Sequence, residues 1–579
     1  MVAQISFILI VLMLLIYLYQ SIRAGTKIDY SDPESFFLSK GAHSGEEYSQ
    51  TQTAYFLQMA TVYPFFIWGF YGQWWLAAWN TLFYAIGISL YSGFSGKRNQ
   101  RFLQVARSSK TLHSAIADIH QNKILRPISS ALTIAAFLGL TLFEIRWGSV
   151  VFESIFSGSR FVFYLMIALL AIYLLAFIWS GGQRATIKSD SVQLTVALIG
   201  LHLLVALMLT EHHELIQKTE SPLFFIIMFL FLLYAIYRRL RTIKQDGTKT
   251  LRIFNLLIIS SMTILSISIF LNINWQDLVS LSFGAALGLK IPSYHDYFGL
   301  LSLSLLPIFF QFVDLSNWQR LSSISSDSDE TFFISAYKGL KAFLIESPLS
   351  WMMPIALGLG SVSFLAVNAG GDAWNTYIQH IIAANSGLRV VIVGIGLVGI
   401  VAIFLSTADS YLAAIGYAFA FDISKKSMTT VDALDPSDQR KGEELSEEEH
   451  RERQEVVNRG RYFVSIAVIL IVSSFIVFDN VFSGLGDKLI GLFLSFFSPM
   501  LAFAPSLIVP LWSGRATSGF WAGFSILGGA SVGILIGVAS VFWPGNLIQW
   551  LPTIATFIVS FVSYGIGLLC VNRRVEFQA

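Results

Sequence analysis

The stretch FLSTADSYLAAIGYAFAFDI, residues 404–423, closes an apolar run that begins near residue 388. The run is long enough to cross a bilayer as a helix. Within it, Ser406, Thr407, Asp409 and Ser410 fall in little more than one turn. Polar groups inside a membrane are costly and usually functional. Ser406 and Thr407 are adjacent, about 100° apart around a helix, so both hydroxyls can reach one point. Two readings stay open for this pair. The hydroxyls bond back to their own helix, as they often do in membranes, or they ligate an ion.

The rest of the chain fits a membrane setting. Of 579 residues, 55% are hydrophobic and 13% charged, and a soluble protein of this length could not bury so much apolar surface. The apolar residues fall in blocks of membrane-spanning length. About fifteen spans emerge, near 5–20, 51–72, 74–93, 127–153, 161–180, 190–210, 222–237, 253–272, 298–317, 348–368, 388–421, 462–480, 486–512, 517–541 and 547–571. The expected fold class is therefore all-α and polytopic. Cys570 is the only cysteine, so neither an internal disulfide nor a cysteine metal site is possible. His212 and His213 lack zinc spacing and read as loop residues. No nucleic-acid motif, P-loop or Ser-His-Asp arrangement is recognisable. An enzyme is not expected, and ATP-driven pumping has no visible engine.

Charge sets the sidedness. No basic residue precedes the first apolar run, whereas Arg23 and Lys27 follow it. It reads as a retained helix with the N-terminus outside, rather than a signal peptide. The basic loops holding Lys97, Arg98, Arg101, Arg107 and Lys110, then Arg238, Arg239 and Arg241, then Lys425, Lys426 and Arg459, all fall in the cytoplasm on that scheme, with Arg573 and Arg574 at the C-terminal end. The charged stretch 424–460 reads as a cytoplasmic linker, partly helical, and as a solvated charge run rather than a binding site.

Three segments resemble the sodium/solute symporter family, whose members carry sugars, amino acids, organic acids, vitamins or inorganic anions. They are SGGQRATIKSDSVQ (180–193), DLSNWQR (314–320) and the opening stretch 404–423. The resemblance covers about residues 30–480 and implies a LeuT-like core of ten helices in two inverted five-helix repeats. Core helix 1 is then 51–72, helix 5 is 190–210, helix 6 is 298–317 and helix 8 is 388–421. The expected domain plan is an extra N-terminal helix (1–27), the first repeat (28–215), an inserted helical hairpin (216–275), the second repeat as far as helix 8 (276–423), the linker (424–460), helices 9 and 10 (461–515) and extra C-terminal helices with a short tail (516–579). The hairpin spans 222–237 and 253–272 depart from the family pattern; their even number preserves the orientation of the second repeat.

Sodium is a hard cation that needs several oxygens at once. A membrane helix offers them where it is broken and its carbonyls are freed. Pro64, with Gly69 and Gly72 after it, gives helix 1 the means to break. The resemblance places sodium-binding carbonyls on Met59, Val62 and Ile403, facing the hydroxyls of Ser406 and Thr407. Asp190 reads as a helix N-cap on its own and as a sodium exit station by resemblance.

The family places substrate between helices 1, 2, 3, 6 and 10. Helix 1 offers Thr61, Phe65 and Phe66. Helix 6 offers Gln311 and Asp314, with Pro307 upstream as a site for a break, and Asp314 has Arg320 nearby as a simple ion-pair partner. Gln311 is the best single substrate candidate. Arg146, in helix 3 beside Glu144, suits a clamp on a substrate carboxylate, which slightly favours an amino acid or organic acid. Equally, Glu144 and Arg146 form a structural ion pair, or Arg146 reaches the outer interface.

The function expected is sodium-coupled symport of a small polar organic solute, with Na+ as coupling ion and substrate and lipid bilayer as partners. The competing reading is a transporter-like sensor acting through a signalling partner, recruited by the linker or the hairpin. A passive channel is disfavoured by the broken-helix pattern. A bacterial inner membrane is the default location. Oligomeric state and stoichiometry stay open.

Overall fold

The computed structural model describes residues 2–92, 97–211, 294–361, 373–383, 387–424, 447–482 and 489–575, apart from a few positions within those ranges and with isolated residues between 230 and 263. The hairpin expected at 222–272 (those isolated residues aside) and the linker up to residue 446 lie outside the described residues.

The chain is helical nearly throughout. Its first part comprises α1 (Val2–Gly25), α2 (Pro33–Phe37), α3 (Gly45–Phe56), α4 (Met59–Phe70), α5 (Trp74–Ser92), α6 (Lys97–Ser108), α7 (Leu112–Ile119), α8 (Leu125–Gly148), α9 (Val150–Ile155) and α10 (Arg160–Glu211). The second part comprises α11 (Tyr294–Val313), α12 (Leu315–Ser322), α13 (Asp329–Ser350), α14 (Met352–Ser361), α15 (Ala373–Ile382), α16 (Gly387–Ala418), α17 (Glu447–Phe482), α18 (Leu489–Leu501), α19 (Ala504–Ser513), α20 (Gly519–Phe542) and α21 (Asn546–Cys570). A two-residue antiparallel pairing, β1 (Arg515–Ala516) with β2 (Arg573–Arg574), ties the C-terminal end to the end of α19. Among the described residues, seven helices are long and apolar enough to cross a bilayer, or nine when the bent pairs α11–α12 and α18–α19 each count as one span.

Two breaks shape the core. The first separates α3 from α4. A reciprocal cap starts α3: Ser44 Oγ accepts the Glu47 N–H at 3.2 Å, and Glu47 accepts the Ser44 N–H at 3.0 Å. The helix stops at Leu57 (ψ 61°) and Gln58 (ψ 158°), and α4 restarts at Met59. Pro64 is not the cause, contrary to the sequence expectation. It lies within α4, so close to the start that its missing N–H costs one early ladder bond, and the helix continues through it. The second break falls at Asp314, where backbone ψ of 110° bends α11 from α12 by 42°. Pro307, the expected breaker, is inside an uninterrupted α11.

The element α10 holds two core helices joined at Gly182, whose φ of 48° and ψ of −148° suit glycine. A Cβ there would lie 2.5 Å from the Phe36 carbonyl oxygen. The chain reverses at this point. Leu170 and Leu174 border one crevice with Phe404 and Leu412, and Ile178 and Gln183 another with Ala413. Beyond the turn, Gln193 meets Asp409, Gly200 opposes Gly399 and Leu204 packs on Gly396. The two halves therefore pass α16 in opposite directions. Because Gly182 makes the turn, the second helix is already under way at Asp190, and the N-cap reading of Asp190 is corrected.

Helix α13 begins at Asp329, well before the expected span 348–368. Lys338, Lys341 and Glu346 dilute its apolar signal. The end of the charged linker, from Glu447, is helical and runs directly into α17. The core sits around α16, whose residues from Ile400 to Ala418 are all buried.

Candidate functional site at the two helix breaks

At the first break, α16 meets the end of α3. Ser406 Oγ lies 3.2 Å from the carbonyl oxygen of Ala54 and 3.1 Å from that of Ile403. Thr407 Oγ1 is 3.4 Å from the Ile403 carbonyl. Ser406, Thr407, Ile403 and Ala54 are all buried. Both hydroxyls bond back to Ile403, as the first reading has it, and Ser406 also reaches the broken helix. Of the expected carbonyls, that of Ile403 lies beside both hydroxyls. Met59 and Val62 lie in the first turn of α4, on the far side of the break, and it is Ala54 that faces Ser406. The break itself is at Leu57–Gln58 and not around Pro64.

The freed backbone groups of this break have dedicated partners. Glu144, fully buried in α8, accepts the N–H groups of Met59 and Ala60, both at 2.9 Å. A carboxylate suits the positive end of a helix. Trp351 Nε1 donates to the Phe56 carbonyl at 3.0 Å, and Tyr411 donates to Gln58 Oε1 at 2.7 Å.

Arg320 joins three elements. Its Nη2 donates to Asp190 at 3.1 Å and to Ser410 Oγ at 2.6 Å, its Nε donates to Thr51 Oγ1 at 2.9 Å, and its Nη1 donates to Ser316 Oγ. Thr51 also donates to Asp190, and the guanidinium lies 4.5 Å over the Tyr55 ring. All of these side chains are buried. Arg320 therefore pairs with Asp190, which corrects the simple Asp314–Arg320 pair. Asp409 is left with Gln193 Nε2 at 3.4 Å and the Ser410 hydroxyl at 3.3 Å.

The second break brings helices α3, α5, α11 and α12 together. Asp314 Oδ1 accepts the Ser316 N–H at 3.0 Å, capping α12, and the Tyr55 hydroxyl at 3.2 Å. Its Oδ2 has no hydrogen bond of good geometry, with the Asn317 N–H beside the carboxylate. Asn317 Nδ2 donates to the Gln311 carbonyl at 2.9 Å, and Trp318 Nε1 to the Phe312 carbonyl at 2.8 Å, so side chains beyond the break satisfy the carbonyls before it. Asn317 Oδ1 accepts from Tyr48 at 2.9 Å and Gln52 at 2.8 Å. The Gln311 side chain is buried beside the Tyr84 hydroxyl, with no hydrogen bond of good geometry.

The expected substrate residues separate. Gln311 and Asp314 share the second break. Phe65 joins them through Trp351, 5.6 Å from its ring and 4.6 Å from that of Tyr84. Thr61 sits half-buried in the first turn of α4. Phe66 faces elsewhere, against Trp374 and Tyr377 of α15 at 5.0 and 5.2 Å. Arg146 points out of the core, 3.7 Å from Asp479 and 3.9 Å from Glu153, beside a crevice lined by Phe475 and Phe478. It neither pairs with Glu144 nor reaches either break, so the carboxylate-clamp reading is withdrawn with the preference for an acid that rested on it.

Sequence reasoning missed Ala54, Tyr55, Tyr84 and Trp351. One signal was present: Tyr48, Gln52 and Tyr55 recur at helical spacing on one face of α3.

No protein-family model matches the chain, and no curated protein matches it in sequence. Among solved structures, the chain is similar to a Na+-coupled sialic acid symporter in a substrate-bound outward-open state, with a TM-score of 0.58 and 14% identity over 99% of each chain. It also aligns with MHP1, a nucleobase-cation-symport-1 family transporter in a closed conformation with bromovinylhydantoin bound, with a TM-score of 0.41 and 10% identity, covering 94% of this chain and 97% of that one. The first likeness, over the whole chain, establishes a LeuT-like helical membrane-protein fold.

Proposed function

We propose that this protein is a sodium-coupled symporter that imports a small polar organic solute by alternating access. The observation that carries the reading is the approach of Ser406 to Ala54 across the first helix break, 3.2 Å between hydroxyl and carbonyl oxygens. Sodium would be held by the Ser406 and Thr407 hydroxyls and the carbonyls of Ile403, Ala54 and Leu57. The last of these lies where the backbone leaves the helical ladder. Five oxygens without a carboxylate suit a monovalent hard cation. Substrate would bind at the second break, next to Gln311 and Asp314. Sodium ties α16 to the end of α3 and so favours one arrangement of the bundle, which couples its gradient to solute. Asp190, paired with Arg320 one polar layer away, would lie on the route by which sodium leaves toward the cytoplasm. Placing the N-terminus outside and the C-terminus in the cytoplasm of a bacterial inner membrane is part of this reading.

The test is uptake of a mixed solute library into proteoliposomes, with and without an inward sodium gradient. Accumulation that requires the gradient is expected. Saturable solute binding with no accumulation under any gradient would overturn symport in favour of sensing.

A further inference from the structure

We infer that the solute is a cation: a small organic ammonium whose charge rests against Asp314 Oδ2, with Gln311 and Tyr84 as hydrogen-bonding neighbours. The inference rests on the transport reading above and gives its substrate a charge class.

The first argument is the charge inventory of the core. Four carboxylates line the region of the breaks, Glu144, Asp190, Asp314 and Asp409, each at most 1% exposed. Arg320 is the one buried cation that reaches them among the described residues, and it is committed to Asp190, Ser410 and Thr51. Glu144 is met by two backbone N–H groups. Arg146, which could have served an anion, lies with Asp479 outside the site. A buried charge is tolerated when it is paired and hydrogen-bonded. An anionic solute would enter without a counter-charge and meet carboxylates.

The second argument is local and independent. Asp314 is fully buried, yet its Oδ2 has no hydrogen bond of good geometry, and neither does either polar atom of the Gln311 side chain, one turn away; only the Asn317 N–H and the Tyr84 hydroxyl lie beside them. Unsatisfied buried polar groups of this kind are uncommon and call for a partner. The surroundings are aromatic. Tyr55 donates to the other Asp314 oxygen, and the Tyr84 ring lies 5.0 Å from Phe56 and 4.6 Å from Trp351. Aromatic faces beside a carboxylate stabilise an organic ammonium through the ring quadrupole. The half-helix N-terminus at Met59, which could otherwise hold a substrate carboxylate, is already occupied by Glu144.

Asp314 also caps α12, so a substitution must separate charge from capping. Asp314→Asn does so, because Asn caps about as well as Asp. The experiment is a melting-temperature titration of the full-length protein in nanodiscs, in sodium and in potassium buffer. The probes are tetramethylammonium, ethanolammonium and propane-1,3-diammonium, set against propane-1,3-diol, propanoate and lactate. Ammonium probes are expected to raise the melting temperature in sodium buffer, and the diol and carboxylates to leave it unchanged. Asp314→Asn should need at least tenfold more ammonium for half the shift, while its sodium-over-potassium stabilisation persists. Gln311→Leu, which leaves the cap alone, should weaken the ammonium response in the same direction. Stabilisation by a carboxylate, an undiminished ammonium response in both variants, or sodium stabilisation without any ammonium response overturns the inference. Loss of the sodium effect itself counts against the sodium site, and the ammonium titration still decides the charge class.

Discussion

Glu144 Oε2 accepts the backbone N–H of Met59 at 2.9 Å, and with Oε1 on Ala60 it caps the second half of a helix from a different helix altogether. A broken helix exposes donors that lipid cannot satisfy. One carboxylate closes two of them and sets where α4 begins against α8.

Replacing Glu144 by Ala removes both acceptors and leaves buried N–H groups unpaired. An unmade buried hydrogen bond to a charged group costs about 1.5–3 kcal/mol. Glu144→Ala should therefore lower the melting temperature clearly more than Glu144→Gln, which keeps one acceptor. Thermal unfolding of both variants in the same detergent checks the order. Equal losses would mean that packing, not capping, is what Glu144 provides.

Ser406→Ala with Thr407→Ala removes two of the five proposed sodium oxygens without altering the backbone. The apparent sodium affinity, read as the sodium concentration for half-maximal uptake, should weaken at least tenfold, a loss of about 1.4 kcal/mol or more. An unchanged value would place sodium elsewhere.

Arg320 and Asp190 form a fully buried pair 3.1 Å apart. Removing one member strands the other's charge, at a cost of roughly 3–5 kcal/mol. Arg320→Gln and Asp190→Asn should each destabilise strongly, and the double variant should be less destabilised than the sum of the two. Additive effects in a double-mutant cycle of melting would show that the pair is not coupled.

Gly182 turns the chain between two core helices at φ 48°, with the Phe36 carbonyl oxygen where a Cβ would stand. Gly182→Ala meets both backbone strain of about 1–3 kcal/mol and the Phe36 oxygen. Reduced membrane yield and a lower melting temperature are expected. Gly514→Ala is the control, because its φ is 68° but a Cβ there meets no atom within 4 Å. It should cost less than Gly182→Ala.

The two breaks illustrate how far local sequence carries. Pro64 and Pro307 are the visible helix breakers, yet both sit inside continuous helices, and the interruptions fall at Leu57–Gln58 and at Asp314. Leu57 and Gln58 have no intrinsic tendency to leave a helix. They do so because Glu144 and Trp351, distant in sequence, bond the backbone groups released there, while Tyr411 holds the Gln58 side chain. Arg146 shows the same gap from the other side. A periodic pattern places it on a membrane helix, but which neighbour it meets depends on α17, more than three hundred residues later.

Read alone, the sequence determined that this chain is a bundle of membrane helices with polar residues on α16, because apolar length and intramembrane hydroxyls are local properties. It also singled out Ser406, Thr407, Gln311 and Asp314. Tertiary structure alone decided which carbonyl faces Ser406, which carboxylate Arg320 neutralises, and that Asp314 Oδ2 lacks a well-formed hydrogen bond. Those are contacts between segments far apart in the chain, set by how the broken helices pack, and no local pattern encodes them.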